Sequence, residues 1–182
     1  MYWLSKPSLE RFALPRAGDL FTLKKGMSIG NNARFLRLWH EVNFSDAEFS
    51  AKSTDDTLER KWYPCINGGQ FRKWFGNHEY VTEWQNDGAE IKSENTQRTG
   101  NHWSRHINST EYFFHDGMNW SDISSASFSA RRHQNGFAFT SISMAAFSER
   151  DDIDSLLAMS NSVVGTHFLT ALCPTYLTLW NR

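Results

Sequence analysis

The segment GMSIGNNARFLRLWHEV, Gly26 to Val42, decides how the first third of the chain is read. Gly30-Asn31-Asn32 interrupts regular structure, and an arginine-and-aromatic run follows. Phe35, Leu38, Trp39 and Val42 fit a helical stripe. Leu36, Leu38, His40 and Val42 fit one face of a strand, with Arg37, Trp39 and Glu41 on the other. Periodicity alone does not separate the two. The strand is preferred, because the preceding DLFTLKKG reads as a strand closed by Gly26, and together they suggest a hairpin-like unit. A glycine turn ahead of cationic side chains also suits a phosphate cradle. The nucleotide pattern GxxxxGK(S/T) is absent, however, since Lys24 and Lys25 precede Gly26.

Working outward, KPSLERFAL (residues 6–14) reads as a short helix with Ser8 as cap and Glu10 and Arg11 facing solvent. From Asn43 to Glu59 five acids oppose one lysine, which predicts a solvated loop or surface helix. Residues 60–77 reverse the sign: Arg60, Lys61, Arg72 and Lys73 stand there without an acid, among Gly68-Gly69 and several aromatic rings. EYVTEWQNDGAEIKSEN alternates at Tyr80, Thr82 and Trp84, then reaches Asn86-Asp87-Gly88, a hairpin-type turn signal. Residues 111–147 read as strands, with Gly117 and Gly136 marking turns. Beyond Asp151 the spacing is helical through Ile153, Leu156 and Leu157, then Val164, Phe168 and Leu172. Asn161-Ser162 divides this stretch into two helices, and Pro174 stops the second.

The chain of 182 residues has the length of one domain. The expected division is a β-rich part over 25–148 and a helical part over 151–173. An aromatic content of 15% excludes a disordered chain. A net charge of −1 excludes a uniformly basic nucleic-acid binder, so charge has to be read locally. Cys65 and Cys173 form no CxxC pair, which fits a reducing compartment. The N-terminus has no secretory core and the apolar runs are too short to span a membrane, so a cytoplasmic protein without membrane contact is expected.

No catalytic constellation stands out. Pro7, Pro15, Pro64 and Pro174 are never adjacent, so the Pro-Pro loop of an amino-methyltransferase is missing. His102 and His106 lie four apart, but without HExxH or a nearby cysteine they read as solvated polar residues and no metal is expected. Ser160 and Ser162 lack GxSxG. What recurs is basic residues among aromatics: Arg34 and Arg37 with Phe35 and Trp39, Arg72 and Lys73 with Phe71, Trp74 and Phe75, and Arg131 and Arg132 after Phe128. Guanidinium groups meet phosphates and guanine edges, and rings stack on bases. The same mixture also arises where Arg stems cover rings in a β-rich core.

In this order the motifs resemble the target-recognition region of PglX-type adenine-specific DNA methyltransferases of the BREX phage-defence system. They are more loosely similar to the same region of combined restriction–methylation enzymes. The opening block is carried by Gly26, Met27, Gly30, Asn32, Arg34, Phe35, Arg37, Trp39, Glu41 and Val42. The second is Trp62, Gly68, Gly69, Phe71, Arg72, Lys73, Trp74, Gly76 and Asn77, with Phe75 in place of a tyrosine. Gly117, Trp120, Ser121 and Ile123 to Ser125 follow, then Phe128 to Arg131, Gly136-Phe137 with Phe139, Leu156-Leu157 with Asn161-Ser162, and Pro174-Thr175. Ile29, Asn67 and Asn119 replace a threonine, a lysine and a threonine of the family pattern.

The resemblance implies an α+β fold: a twisted, mostly antiparallel sheet with peripheral helices and a C-terminal helical pair. It implies a fragment that recognises double-stranded DNA and lacks catalysis of its own. S-adenosylmethionine would belong to a methylase domain or subunit outside this chain, which is then a possible partner. The residues it offers for DNA contact are Asn32, Arg34, Arg37, Arg72, Lys73, Asn77 and Arg131. Gly30, Gly68, Gly69, Trp74 and Trp120 would shape the loops. A remnant that only docks to a methylase, and an aromatic-rich module for a different ligand, are the alternatives.

Overall fold

The computed structural model describes residues 5–123, 127–150 and 152–172. Its class is α+β, with two four-stranded sheets where the sequence suggests one. The strands are β1 (Thr22–Lys25), β2 (Leu36–Leu38), β3 (Trp62–Ile66), β4 (Tyr80–Glu83), β5 (Gly117–Ser121), β6 (Ala130–His133), β7 (Ala138–Phe139) and β8 (Ser143–Phe147). Sheet one runs β1-β8-β5-β6 and is antiparallel throughout. Sheet two runs β2-β4-β3-β7, and its β3–β7 pair is parallel. The helices are α1 (Lys6–Glu10), α2 (Ala17–Leu20), α3 (Asn32–Phe35), α4 (Gln85–Thr99), α5 (Ile153–Asn161) and α6 (Val163–Leu172).

The opening segment is neither of its two sequence readings. Asn31 caps a single helical turn, α3, by accepting from the Arg34 amide at 3.2 Å. Three residues of strand follow, and Trp39–Glu41 closes in a 3-10 turn. The expected hairpin with β1 does not form: β1 pairs with β8 and β2 with β4, in different sheets. Local pattern cannot choose between partners that are equally extended; long-range packing does. The helix at the N-terminus begins at residue 6 as expected, but Ser5 and not Ser8 is its cap, accepting from the Ser8 amide, and the α-helix ends at Glu10.

The largest difference lies after β4. Asn86, Asp87 and Gly88 do take positive φ (52°, 56° and 67°), as a turn signal requires. They lead into the right-handed body of α4, not into a second hairpin strand. A Cβ on Gly88 would sit 2.8 Å from the Trp84 ring, so glycine is required by space as well as by φ. Gly117 likewise begins β5 instead of turning, whereas Gly136 does turn, at φ 98°.

Sheet one has two different faces. On β8, Ala145 and Phe147 point into the main interior with Met27, Tyr63, Trp84, Phe113 and Phe139. Ala146 points the other way, with Met118, Ala130, Ile153 and Leu157, under α5. This is the two-residue alternation of a strand buried on both faces. The helical pair breaks where the sequence places the break: α5 ends at Asn161, and Ser162 Oγ accepts from the Gly165 amide at 2.9 Å. Ser124, Ser125 and the segment Cys173-Pro174-Thr175 lie outside the described residues. No helix among the described residues is long and apolar enough to cross a membrane.

Candidate nucleic-acid interface

The long connection from β3 to β4, residues 67–78, leaves sheet two and crosses to the edge of sheet one. Its glycines and asparagine make the bends: Gly68, Gly69, Gly76 and Asn77 have φ of 69°, 124°, 120° and 61°. The Gly68 amide donates to Ser143 Oγ at 2.7 Å. Asn77, itself buried, donates from Nδ2 to the Gln70 carbonyl at 2.9 Å and so ties the two ends of the loop together. At the far side Trp74 joins the free edge of β6, its amide donating to Ala130 O and its carbonyl accepting from the Arg132 amide, at 2.9 and 2.8 Å. Lys73 Nζ reaches the Asn161 carbonyl at the end of α5, at 2.7 Å. Asn161 in turn clamps Ala130 through both its side-chain atoms, each at 2.9 Å.

These ties present Phe71, Trp74 and Phe75 to solvent; Trp74 is 52% exposed and Phe75 68%. Phe75 also meets the His78 ring edge-on at 4.8 Å. Arg72 lies beside them, one amino group 3.2 Å from Glu79 and its side chain about half exposed. A cation beside three exposed rings on an anchored loop offers what a nucleic acid requires: charge for a phosphate and flat surfaces for bases. Trp74 holds φ 76°, a conformation that a bulky side chain rarely adopts, so the chain keeps the ring outward at a cost in strain.

The sequence-suggested residues separate into two places. Gly68, Gly69, Arg72, Lys73, Trp74, Asn77 and Arg131 converge on this loop. Gly30, Asn32, Arg34 and Arg37 lie in the opening turn against α4. There Arg34 donates to Glu94 at 2.7 Å and Glu90 at 2.5 Å, carboxylates one helical turn apart, and these hydrogen bonds raise its pKa further. Gly30, at φ 81°, lies where a Cβ would meet the Arg98 guanidinium at 2.8 Å. Arg37 donates to the carbonyls of Ala33 and Leu36 and rests near the Trp62 ring. Asn32 is exposed, while the capping is done by Asn31, whose Nδ2 also donates to Glu94 at 2.8 Å. With its charge matched twice, Arg34 fastens the turn to α4. Arg34→Met should therefore speed hydrogen exchange at the Asn31–Phe35 amides; unchanged exchange there would reverse this assignment.

Arg131 is not at the surface. In β6 it alternates with Arg132, which faces out and pairs with Asp116 and Asp154. Arg131 faces in and is 0% exposed. Its Nε donates to Asn119 Oδ1 at 3.2 Å and its Nη2 to Ser121 Oγ at 3.3 Å. Burial lowers its pKa from the ordinary arginine value. Behind it, His133 Nδ1 accepts from Asn119 Nδ2 at 3.2 Å, and the ring is driven by burial, and then by Arg132, to a pKa of about 3. His78 is lowered in the same sense, chiefly by burial. Trp120 lies on the opposite face of sheet one, tilted against Phe128 at 5.9 Å, and packs the α5 side. Two of the replaced family positions are internal ties: Asn119 to Arg131, and Asn67 Oδ1 accepting from Thr140 Oγ1 at 3.0 Å.

The sequence pattern does not single out Phe71 and Phe75 as contacts, although both stand in its basic-aromatic block. It carries no signal for Asn161 and His78, whose roles depend on tertiary placement. An open cavity of about 510 Å³ lies elsewhere, along Glu48, Asp55, Asp56 and Glu59, with Lys52 and Arg60. Its four carboxylates disfavour a phosphodiester. His102 turns its Nδ1 toward Ser104 at a 3-10 turn, and no cluster of three or more metal-ligating side chains occurs among the described residues.

No protein-family model matches the chain. It is 37% identical over 177 residues to adenine-specific methyltransferase PglX of Lacticaseibacillus casei (strain Zhang), covering 96% of this chain and 15% of that protein. It is 31% identical over 179 residues to adenine-specific methyltransferase BrxX of Escherichia coli O9:H4 (strain HS), covering 96% of this chain and 14% of that protein. The chain is thus related to one segment of these methyltransferases and spans about a seventh of their length.

Proposed function

We propose that the chain is a DNA-recognition module of an adenine-specific methyltransferase of the BREX type, without a catalytic centre of its own. The observation that carries this reading is the 67–78 loop, which holds Phe71, Trp74 and Phe75 in solvent beside Arg72. In this reading the methylase part of the larger enzyme flips the adenine and methylates it. The 67–78 loop grips the flanking duplex: Arg72 on a phosphate or guanine edge, and the rings against bases or sugars. S-adenosylmethionine is assigned to that methylase part. The paired glycines here do not suit it, because the Gly68 amide is already given to Ser143 and the turn runs into an aromatic loop, not a helix.

The test is a gel-shift titration of the chain on duplex DNA over a series of salt concentrations. Binding that weakens with salt is expected, since phosphate contacts release counterions. The double substitution Trp74→Ala with Phe75→Ala should weaken binding about thirtyfold, the low end for loss of two ring–base contacts. Absence of binding at low salt, or an unchanged affinity in the double variant, counts against the reading.

A further inference from the structure

We propose that Arg131 and His78, the latter at the foot of the loop just past the Gly76-Asn77 bend, form a concealed oxyanion site, opened to a phosphate group when residues 70–75 lift from β6. The proposal deepens the DNA-recognition reading and rests on it for the duplex; the phosphate itself could equally be free in solution.

Two buried atoms point to the site. Arg131 Nη1 and His78 Nε2 are both shut off from solvent and neither has a hydrogen-bond partner. No carboxylate lies within ion-pairing distance of Arg131 among the described residues. Glu79, which favours its charge from a distance, is taken up by Arg72. Asn119 and Ser121 fix the guanidinium without neutralising it. A buried cation with a free donor and no counter-charge is a costly arrangement. A phosphate oxygen would satisfy Nη1, and in the Nε2–H tautomer His78 supplies a second donor.

The segment beside this pair is held to the body by a few bonds. Trp74 lies directly opposite Arg131 on the edge of β6. Its two backbone bonds go to Ala130 and Arg132, the residues on either side of Arg131. Lys73 to Asn161 and the longer Ser121 bond to Gly69 O, at 3.4 Å, add to these in tying the loop to the body. Release of Trp74 from its left-handed backbone offsets part of the loss of these bonds. Gly68-Gly69 and Gly76-Asn77 stand as hinges at the two ends. Lifting the loop would move the rings and Arg72 outward in the same motion that uncovers Arg131.

The experiment uses the whole chain labelled with nitrogen-15 in its arginine side chains, with two arms: inorganic phosphate, and a short DNA duplex. In both arms the Arg131 guanidinium resonance is expected to shift, and the Trp74 and Arg132 amides, which hold the loop down, are expected to exchange faster. Arg131→Met should lower affinity about tenfold, as for loss of a charged hydrogen bond, with Arg131→Lys restoring part of it. A shift with phosphate but no duplex binding keeps the site and removes the DNA reading. Duplex binding with an unmoved Arg131 resonance and unchanged amide exchange keeps the DNA reading and overturns the site. Silence in both arms overturns both. Because the resonance is read on the unsubstituted chain, the outcome does not depend on whether Arg131→Met folds.

Discussion

Between pH 6.5 and 5 the protein should lose stability steeply, at up to about 1.4 kcal/mol per pH unit for each buried histidine that must be charged. His133 is the main source. It is wholly buried, and its pKa stands at about 3 against an ordinary value of 6.5. The unfolded chain therefore binds a proton below pH 6.5 that the folded chain refuses until about pH 3. The stabilisation is complete above pH 6.5, is lost as pH falls through this window, and is exhausted near pH 3. His78 adds to the same slope, because burial lowers its pKa too. Glu83, raised by burial, opposes it at lower pH, while Glu48 and Asp56, held low by their hydrogen bonds, reinforce it there. Substitution of His133 removes its share alone, so the comparison is made between pH 6.5 and 5. Urea melts of the wild type and His133→Gln over that range would separate the contributions: the variant should show a clearly flatter pH dependence, and equal slopes would sink the assignment.

Asn161→Leu should cost about 3 kcal/mol in the same melts. The side chain is buried and amide-shaped for one purpose: Oδ1 takes the Ala130 N–H and Nδ2 meets the Ala130 carbonyl. Leucine has similar bulk but strands the N–H at the edge of sheet one, where no further strand follows β6 among the described residues. Such a stranded group costs roughly 1–3 kcal/mol, and the second bond is lost with it. The carbonyl of residue 161 would still be offered to Lys73, but the helix end carrying it would no longer be fixed to β6. The 67–78 loop should loosen accordingly, seen as faster exchange of the Trp74 amide. A cost under about 1 kcal/mol would mean that α5 is held by its apolar face alone, through Ile153 and Leu157.

Asn161 also illustrates what a sequence discloses. Its place at a helix boundary is legible, because Ser162 carries a capping hydroxyl just where the apolar spacing breaks. That its amide reaches a strand thirty-one residues earlier is not. The same divide runs through the candidate site. Gly68-Gly69, the acid-free charge and the rings mark residues 67–77 as unusual from their composition alone. Arg131 and Arg132 look alike in sequence, and only the register of β6 against β5 sends one inward and one to Asp154. Arg34 looks free in sequence because Glu90 and Glu94 lie more than fifty residues away. The helix that carries those acids escapes a periodicity reading, since only Gly88, Ile91 and Asn95 along it are buried, too thin a stripe to register.

The three left-handed residues after Trp84 have a wider bearing than their length suggests. Each departs from the hand that L-amino acids favour, a cost that Asn, Asp and Gly bear more lightly than other residues. In return the chain changes heading within a single turn. A strand bonded on both sides, β4 between β2 and β3, becomes a helix whose acids reach back to grip the turn just ahead of β2. One uninterrupted run, residues 80–99, thus serves as the spine of sheet two and as the buttress of the segment that enters it. The opening arginine turn owes its shape to a reversal of hand made some fifty residues further along.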